Sequence, residues 1–495
     1  MAVVPDLPGL PSAEELSALP AAELAARLAE AYRLIAGLTA QVERLSARVE
    51  DLERRARRDS STSSRPPSSD GPYKKSGDRS LRERGKRRPG KQPGDPGVTM
   101  CLVDDPDVSY DCLPAVCRGC GADLAGEPVT ASRRHQVTDI EPAPEPKVTQ
   151  YLAQAKECPC CGTVTEGELP AHVRARASYG PETCAQAANL TCGHYIPVHR
   201  ATLLLCQLAG ITVSTGWMAG VRAKAATLIE GSGFTNRVRE LLRTAPAIHA
   251  DETPARAAGG ARYVHVACTA YLTHMHTGDR SAEAIDAGQV LPGYSGVIVR
   301  DGYAGYGRLT DALHAWCGVH LLRDLKGLYD FESGKQEWAS RMASLLIEAR
   351  DAAAAARLAG QHALDPAILD DLLTRYRDLA AAGLAANLYR RTATAKDARR
   401  LARRFLTFED LILRFATRPD PGIFSNNEAE RTIRPVKVQQ RGSGGAWRTL
   451  QGLADFAIVE SYLSTAAKWG ITKLDALRDL FSGHAWKPPG LQPAG

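Results

Sequence analysis

The sequence has no run of eighteen apolar residues, so it lacks the length of apolar helix that crosses a membrane. Its first residues, MAVVPDLPGLPSAEE, lack the basic and then apolar order of a secretion signal. We therefore expect a soluble, intracellular protein with no membrane partner. Apolar residues still make up 44% of the 495 residues, which argues against wholesale disorder. At roughly 100–200 residues per domain, this length allows three or more domains.

Acidic residues are scarce in one stretch of the chain. Between Arg54 and Lys91 there are fourteen Lys and Arg residues against four Asp and Glu, an excess of ten. Because the net charge of the whole chain is +6, the remainder sums to about −4 (6 − 10). A basic tract of this kind is typical of contact with a polyanion, and its densest run is Lys86, Arg87 and Arg88. The alternative is a solvated linker, since Ser, Pro and Gly interrupt the tract.

The N-terminal part carries a heptad pattern. Apolar residues recur over residues 24–52 at alternating steps of four and three, which places them in one stripe along a helix. The two seam positions hold Leu28, Ile35, Val42 and Val49 on one side and Leu24, Ala31, Leu38, Leu45 and Leu52 on the other. β-Branched residues facing leucines favour a parallel two-stranded coiled coil, hence a homodimer. The alternative is an amphipathic helix packed on the chain's own body.

Two CxxC turns predict a structural zinc site. Cys117 and Cys120 form the first, and Cys158 and Cys161 form the second within CPCC. Four thiolates suit the tetrahedral coordination of Zn²⁺, with buried or free thiols as the alternative. Cys160 is a spare that could replace a neighbour. The other cysteines are expected to be core thiols: Cys101, Cys112, Cys184, Cys192, Cys206, Cys268 and Cys317.

The segment after the cysteines has a helical pattern. Two apolar-periodic stretches are separated at Gly210, and the second is expected to begin near Ser214. This order is compatible with a DNA-binding helix-turn-helix and equally with an ordinary helical hairpin.

Three acidic residues then fall on suitable elements in order. Asp251 ends a predicted strand, AIHAD, and Asp301 ends the fourth strand, GVIVRD, after two further strands and a helix. Strand, strand, strand, helix, strand is the opening order of the ribonuclease H fold, in which the first and fourth strands are neighbours. Glu430 follows a long helical stretch. Three converging carboxylates can hold two divalent ions such as Mg²⁺, whereas each acid alone is more simply a solvated or capping residue.

Other acidic and basic residues lie close to these three in the sequence. Glu252 should point to the opposite face of its strand from Asp251. Glu428 and Glu430 differ by about 200° on a helix, so only one can face the site, and the spacing favours neither. Phosphates could be bound by Arg431, Arg434, Lys437 and Arg441, although Pro435 predicts a kink or a late helix start.

Taken together, these segments resemble the IS66 type of DDE transposase over nearly the whole chain. The resemblance rests on the zipper-like start, the linker SSRPPSSDG, the double CxxC, HYIPVHR, HADETP, RDGYAGY, the Cys317-x-x-His320-x-x-Arg323 pattern and NNEAERTIRP. It implies a catalytic triad of Asp251, Asp301 and Glu430, selecting Glu430 over Glu428. It also implies an accessory role for Cys317 and His320, and small helper proteins. The segment VKVQQRGSGGAWRTLQG departs from the family pattern, leaving Lys437, Arg441 and Trp447 as candidate DNA contacts.

The sequence thus predicts a multidomain α/β protein with a ribonuclease H-like catalytic domain, a helical insertion, an N-terminal coiled coil and a zinc-binding domain. The expected parts are a dimerisation helix (1–58), a basic linker (59–96), the zinc domain (97–170), a helical DNA-binding segment (171–243), the catalytic domain in two parts (244–334 and 418–482) around the insertion (335–417), and a frayed tail (483–495).

The predicted activity is cleavage of DNA at insertion-sequence ends followed by strand transfer, with two Mg²⁺ per site and structural Zn²⁺. The partners would be the element's terminal repeats and target DNA, and the location the bacterial cytoplasm at the nucleoid. The alternatives are a non-catalytic zinc-containing DNA-binding protein and a general nuclease or resolvase of the same fold.

Overall fold

The computed structural model describes residues 19–57, 102–139, 145–170, 175–419 and 423–492. The first element is a 37-residue helix, α1 (Ala21–Arg57), which confirms the helix predicted from the heptads. Its apolar stripe is exposed, with Leu28 and Leu38 among the exposed large side chains. Whether that stripe pairs with a second chain stays a prediction. The basic linker, with Lys86, Arg87 and Arg88, lies outside the described residues.

The cysteine-rich region contains one short hairpin. Strands β1 (Ala155–Glu157) and β2 (Val164–Glu166) pair antiparallel, and the second CxxC forms the turn between them. Both CxxC turns end in a glycine with positive φ, Gly121 at 75° and Gly162 at 70°, a conformation that glycine adopts without steric cost. The two turns therefore share one backbone shape.

Four helical segments follow. Helix α2 (Pro181–Ala188) continues into a π-helical turn (Asn189–Gly193), and α3 (Val198–Ala209), α4 (Thr215–Ser232) and α5 (Phe234–Thr244) come next. Helix α3 ends at Gly210 in the left-handed conformation, and the Ser214 hydroxyl caps α4 by accepting from the Trp217 amide at 3.1 Å. The predicted break and restart are confirmed in position.

A five-stranded mixed sheet forms the centre. It contains β3 (Ala247–Ala257), β4 (Gly260–Cys268), β5 (Thr273–Gly278), β6 (Val297–Arg300) and β7 (Leu313–Trp316), with helix α6 (Ala282–Asp286) between β5 and β6 and a 3-10 helix (Ala304–Arg308) before β7. The order across the sheet is β5-β4-β3-β6-β7. Strand β3 pairs parallel with β6, and β6 with β7, whereas β4 pairs antiparallel with both β3 and β5, so β4 runs opposite to the other four strands. The first and fourth strands are therefore neighbours, as predicted.

The sequence placed the end of the first strand wrongly. Strand β3 continues past Asp251 to Ala257, because its second half still pairs with β4 through Ala257 and Gly260. Only the pairing with β6 stops early, at His249 and Val299. Asp251 thus lies inside a strand at the point where one of its two neighbours has ended.

Helix α7 (Gly318–Phe331) and a 3-10 turn (Ser333–Lys335) lead into the predicted insertion, residues 335–417. The insertion is helical, as predicted, and comprises α8 (Glu337–Leu358), α9 (Pro366–Asn387), α10 (Ala393–Thr407), α11 (Glu409–Ile412) and α12 (Arg414–Thr417). These helices bury one core together with Val297, Val299 and Trp316 of the sheet. The insertion consequently packs on the β6–β7 side rather than standing apart.

Three helices complete the chain: α13 (Asn427–Gly442), α14 (Leu450–Lys468) and α15 (Lys473–Phe481). Helix α13 contains Pro435 and begins well before it, so the late start considered for this helix is wrong. It packs across β3 and β4, over a core that includes Ala255 and Ala257. Residues Ile248 and Ala250 of β3 belong to a different core, with helices α2–α5, α14 and α15. Alternation along β3 therefore separates the two faces of the sheet.

The C-terminal segment is docked rather than frayed over residues 483–492. Trp486 and Leu491 pack against the core that contains Ile248 and Ala250, and the Trp486 amide donates to the Tyr462 hydroxyl at 3.3 Å. The Arg237 guanidinium donates to the carbonyl oxygens of Pro488 and Pro489. The prediction of a frayed tail is therefore wrong for these residues, because the Trp486 side chain and the carbonyl oxygens of Pro488 and Pro489 make contacts with the rest of the fold.

Candidate active site

Asp251 and Asp301 occupy matching positions on neighbouring parallel strands. The last paired residues of β3 and β6 are His249 and Val299, and each aspartate lies two residues beyond its member of that pair. Parallel strands bring such positions to the same edge of a sheet. The register therefore brings the two acids together.

One oxygen of each aspartate is fixed by the backbone that follows it. The Glu252 amide donates to Asp251 Oδ1 at 2.9 Å, and the Tyr303 amide donates to Asp301 Oδ1 at 2.8 Å. The buried Arg300 guanidinium supports the second turn by donating to the carbonyls of Asp301 and Tyr303 at 2.9 and 3.0 Å. These bonds orient both carboxylates and leave the second oxygen of each for another ligand.

Glu430 reaches the same region from helix α13. The connection is made by the buried Asn426, whose side-chain amide donates to the Ala250 carbonyl at 2.9 Å. The backbone amide of Asn426 donates to Cys317 Sγ at 3.1 Å, and its carbonyl accepts from the Glu430 amide at 3.0 Å. One residue thus ties β3, the start of α7 and the first turn of α13.

Electrostatics link the three carboxylates. Burial raises the pKa of Asp251 well above its ordinary value, and the nearby charges of Glu252, Asp301 and Glu430 raise it further. Because the charges of Asp301 and Glu430 contribute to this shift, both lie within electrostatic reach of Asp251. Within the described residues, however, the three acids do not form a group whose ligand atoms all lie within 4.8 Å of one another.

The neighbouring acids Glu252 and Glu428 are already engaged elsewhere. Glu252 forms an ion pair with Arg280 at 2.7 Å and accepts from the Tyr306 hydroxyl at 2.8 Å. Its side chain faces the core of Tyr306, opposite to Asp251, as strand alternation predicted. Glu428 pairs with Lys468 at 3.0 Å and with Arg431 at 2.6 Å. Both glutamates are held by cations at 3.0 Å or less, whereas the corresponding contacts of Glu430, with His320 and Arg323, are 3.7 and 3.9 Å long.

Cys317, His320 and Glu430 form a compact cluster. Among the described residues, this is the group of three Cys, His, Asp or Glu whose ligand atoms all lie within 4.8 Å of one another. Glu430 Oε1 is 3.7 Å from His320 Nδ1, and its other oxygen is 3.9 Å from Arg323. Burial lowers the pKa of His320, but the bond to Cys317 and the charges of Cys317 and Glu430 outweigh it and raise that pKa to about 9.

The predicted phosphate contacts on α13 have different surroundings. Lys437 donates to the Pro254 carbonyl on β3, and burial lowers its pKa. Arg434 and Arg441 are exposed, and Arg431 is exposed although it pairs with Glu428. Trp447 is not accessible as a DNA contact, because it is buried against β3, where its amide donates to the Arg256 carbonyl at 2.8 Å.

Comparison with known families assigns this part of the chain. A model of the Transposase IS66 family matches residues 176–454, more than half of the 495 residues. The chain belongs to the Transposase IS66 family. Membership implies an enzyme that processes nucleic acid and binds DNA. A family of unknown function, DUF6444, matches residues 11–100, and a comparison with curated proteins found no match.

The matched range of this transposase includes both aspartates, Glu430 and the Cys317 cluster, but it begins after the two CxxC turns. Hydrogen bonds form within each turn. In the first turn, the backbone and the side chain of Cys120 form hydrogen bonds that lower the pKa of Cys117. Within the described residues, however, the four cysteines are not gathered into one group of ligand distance. The four-cysteine zinc site, made of Cys117, Cys120, Cys158 and Cys161, stays a prediction.

The expectation of core thiols holds for only some cysteines. Cys184, Cys192, Cys268 and Cys317 are buried, whereas Cys112 and Cys206 are exposed. Cys101 lies outside the described residues. Among the helices of the described ranges, none combines the length and apolar character needed to span a bilayer.

Sequence reasoning missed Asn426 and Arg300. An Asn directly before a helix is a common N-cap, but Asn426 makes no side-chain cap bond and instead donates to Ala250. Arg300, next to Asp301, is almost fully buried, a burial that is rare for arginine without partners. A polar residue before a helix start and an arginine in an apolar strand were the signals available.

Proposed function

We propose that this chain cuts DNA at the ends of an insertion sequence and transfers the freed 3′-hydroxyl to target DNA, using Asp251, Asp301 and Glu430. The observation that carries the proposal is the placement of the three acids. Asp251 and Asp301 hold matching positions on neighbouring parallel strands, and Asn426 bonds β3 at the start of the helix that carries Glu430.

The sheet supports a ribonuclease H-like catalytic domain. Its order, β5-β4-β3-β6-β7, puts the first and fourth strands side by side, with Asp251 and Asp301 at matched positions. The two parts of this domain span residues 244–334 and 418–482, and the helical insertion separates them. Helix α13 in the second part brings the third acid across β3.

The donor set fits divalent Mg²⁺. Three carboxylates supply only oxygen ligands, which Mg²⁺ prefers, and each aspartate has one oxygen that its own backbone does not occupy. Two bound ions about 3.5–4 Å apart would activate the attacking oxygen and stabilise the leaving oxygen in this reaction class. Carboxylates serving two ions need not lie as close together as ligands of one.

The protein's own groups hold this arrangement and the substrate. Asn426 and Arg300 fix the backbone beside the acids, and Arg323 faces the second oxygen of Glu430. Phosphates would be bound by cations of α13 and of the basic linker: Arg431, Arg434, Lys437, Arg441, Lys86, Arg87 and Arg88. Lys437 would exchange its bond to Pro254 for a phosphate.

The remaining parts complete the proposed assembly. The exposed stripe of α1 pairs two copies, which holds two element ends together before joining. Zn²⁺ at the four CxxC cysteines folds the segment before the helices of residues 171–243, and both contact terminal repeats. Small accessory proteins assist, and the complex acts at the nucleoid in the bacterial cytoplasm.

The test is cleavage and joining of DNA that carries the element ends, with and without Mg²⁺. Asp301→Asn should abolish both reactions while DNA binding persists. The matched control is Asp311→Asn, an exposed acid ten residues further on, which should act like the unaltered protein. Binding without any cutting would favour a non-catalytic DNA-binding protein. Cutting without preference for the end sequence and without joining would favour a general nuclease.

A further inference from the structure

The Cys317 cluster contains two residues, Cys317 and His320, that the carboxylate chemistry does not use. Two buried polar atoms in the cluster, His320 Nδ1 and Glu430 Oε1, have no hydrogen-bond partner. They lie 3.7 Å apart, which is too far for a hydrogen bond. A buried polar atom without a partner needs an explanation, and a bound water or ion is one such explanation.

The spacing of these atoms suits tetrahedral coordination. Bonds of about 2.0–2.3 Å from zinc to nitrogen, oxygen and sulfur give tetrahedral edges of roughly 3.3–3.6 Å. The distance between His320 Nδ1 and Glu430 Oε1 is close to such an edge. The three ligand atoms all lie within 4.8 Å of one another, so a small contraction would complete a trigonal set.

The local fold holds these ligands in place. Cys317 is the residue directly before α7 and His320 lies in its first turn, so both point the same way from one helix end. The Asn426 amide donates to Cys317 Sγ, which orients the sulfur as ligand-supporting contacts do in metal sites. The side chains of His320 and Glu430 are 19% and 22% exposed, so a fourth position is open to water.

We infer that Cys317, His320 and Glu430 form a second metal site, for Zn²⁺ or a similar borderline-soft divalent ion. Sulfur and imidazole ligands select such ions over Mg²⁺, whose ligands are oxygens. Because Glu430 belongs to this set and to the triad under "Proposed function", an ion here competes for the carboxylate. We therefore expect Zn²⁺ at this site to inhibit the Mg²⁺-dependent reaction, an expectation that rests on the proposed function.

The binding test uses Co²⁺ alone, because a cobalt–thiolate bond gives a charge-transfer absorption that oxygen ligands do not. The full chain with Ser at Cys117, Cys120, Cys158, Cys160 and Cys161 removes the CxxC turns as a source of that band. In this chain the band should appear, and adding Cys317→Ser should remove it. Adding Cys206→Ser, an exposed cysteine away from the cluster, should leave it unchanged. His320→Ala should weaken Co²⁺ binding by at least about 100-fold, above the range for supporting contacts.

Two results would overturn the inference: no band in the folded chain without CxxC cysteines, or a band that persists after Cys317→Ser. If removal of the CxxC cysteines unfolds the chain, the otherwise unaltered protein gives the answer. Cys317→Ser must then lower the bound Co²⁺ by one equivalent per chain, and an unchanged stoichiometry rejects the site.

The activity arm separates this inference from the proposed function. At saturating Mg²⁺, added Zn²⁺ should reduce DNA cleavage at least tenfold more in the unaltered protein than in Cys317→Ser, each compared with its own rate without Zn²⁺. A Cys317-dependent band in a protein that never cleaves DNA would refute the proposed function and leave the site. Normal Mg²⁺-dependent cleavage without the band would refute the second metal site and leave the proposed function in place.

Discussion

The side-chain amide of Asn426 donates to the carbonyl oxygen of Ala250 across 2.9 Å, joining residues 176 positions apart in the chain. Ala250 directly precedes Asp251, and Asn426 directly precedes the helix that carries Glu430. The bond therefore links the strand that carries Asp251 to the helix that carries Glu430, and it contacts neither carboxylate.

Asn426→Ala should consequently lower both stability and activity. A buried carbonyl left without its donor costs about 1–3 kcal/mol in the free energy of unfolding. Cleavage should fall further than stability explains, because Glu430 would no longer be positioned. Urea unfolding and single-turnover cleavage measure the two effects. The neighbouring Asn427 is exposed, so Asn427→Ala is the matched control and should change neither. Equal behaviour of the two variants would refute the positioning role.

The ion pair of Arg280 and Glu252 should stabilise the fold. The Glu252 side chain is only 3% exposed, so Arg280→Ala leaves a buried acid with the Tyr306 hydroxyl as its other contact. We expect a loss of about 1–3 kcal/mol in the free energy of unfolding, since the arginine itself is partly exposed. The control is Arg308→Ala, which breaks a partly exposed pair with Asp286. Exposed pairs contribute about 0–1 kcal/mol, so a larger loss in the control would contradict this argument.

The stability of the protein should decrease between about pH 4.5 and 7 because of one buried acid. Glu460 lies on α14, 2.8 Å from the Tyr195 hydroxyl, and burial raises its pKa from 4.5 to about 7 despite the opposing effect of Lys473. The folded state then keeps a proton that the unfolded state releases, so this contribution is full below pH 4.5 and lost as pH rises through 7.

Glu460→Gln should remove that part of the pH dependence. Relative to the unaltered protein, the variant should gain up to about 3 kcal/mol in the free energy of unfolding from pH 4.5 to pH 8, at roughly 1.4 kcal/mol per pKa unit. Denaturant unfolding over this pH range makes the measurement. The exposed Glu283 supplies the control, and Glu283→Gln should follow the unaltered curve. Parallel curves for all three proteins would show that Glu460 does not titrate in this window.

Self-association through α1 is tested on its exposed stripe. Leu38→Glu with Leu45→Glu puts two charges in the predicted seam and should convert a dimer into a monomer, measured by light scattering during gel filtration. Leu34 is equally exposed but lies outside the heptad stripe. Leu34→Glu should therefore leave the dimer intact. A monomeric unaltered protein, or dissociation by Leu34→Glu alone, would reject the coiled coil.

Local patterns predicted the elements well and their junctions less well. Three features could be predicted because each depends on residues that are neighbours in the sequence: the heptads of α1, the break at Gly210 and the strand that ends before Asp301. The end of β3 was not, since its continuation past Asp251 depends on pairing with β4. The docked tail likewise depends on Tyr462 and Arg237, which are distant in the chain.

The site shows the same division. Spacing identified Asp251, Asp301 and Glu430 as candidates but could not choose between Glu428 and Glu430, and only the resemblance did so. The difference between these two glutamates lies in Lys468, a residue of another helix that pairs with Glu428. Asn426 and Arg300 escaped notice because their importance comes from carbonyl partners, which carry no signal in a sequence.

The segment that begins with α7 and includes the helical insertion starts and ends beside the acids. The Gly318 amide donates to the Phe424 carbonyl at 2.8 Å, and a side chain on Gly318 would lie 2.6 Å from the Phe424 ring. The two ends of this segment of about a hundred residues are therefore held together next to the part of the fold that carries the three acids. The entropic cost of closing a loop rises only slowly with its length. A longer or shorter insertion between these two ends would therefore leave the carboxylates in their positions.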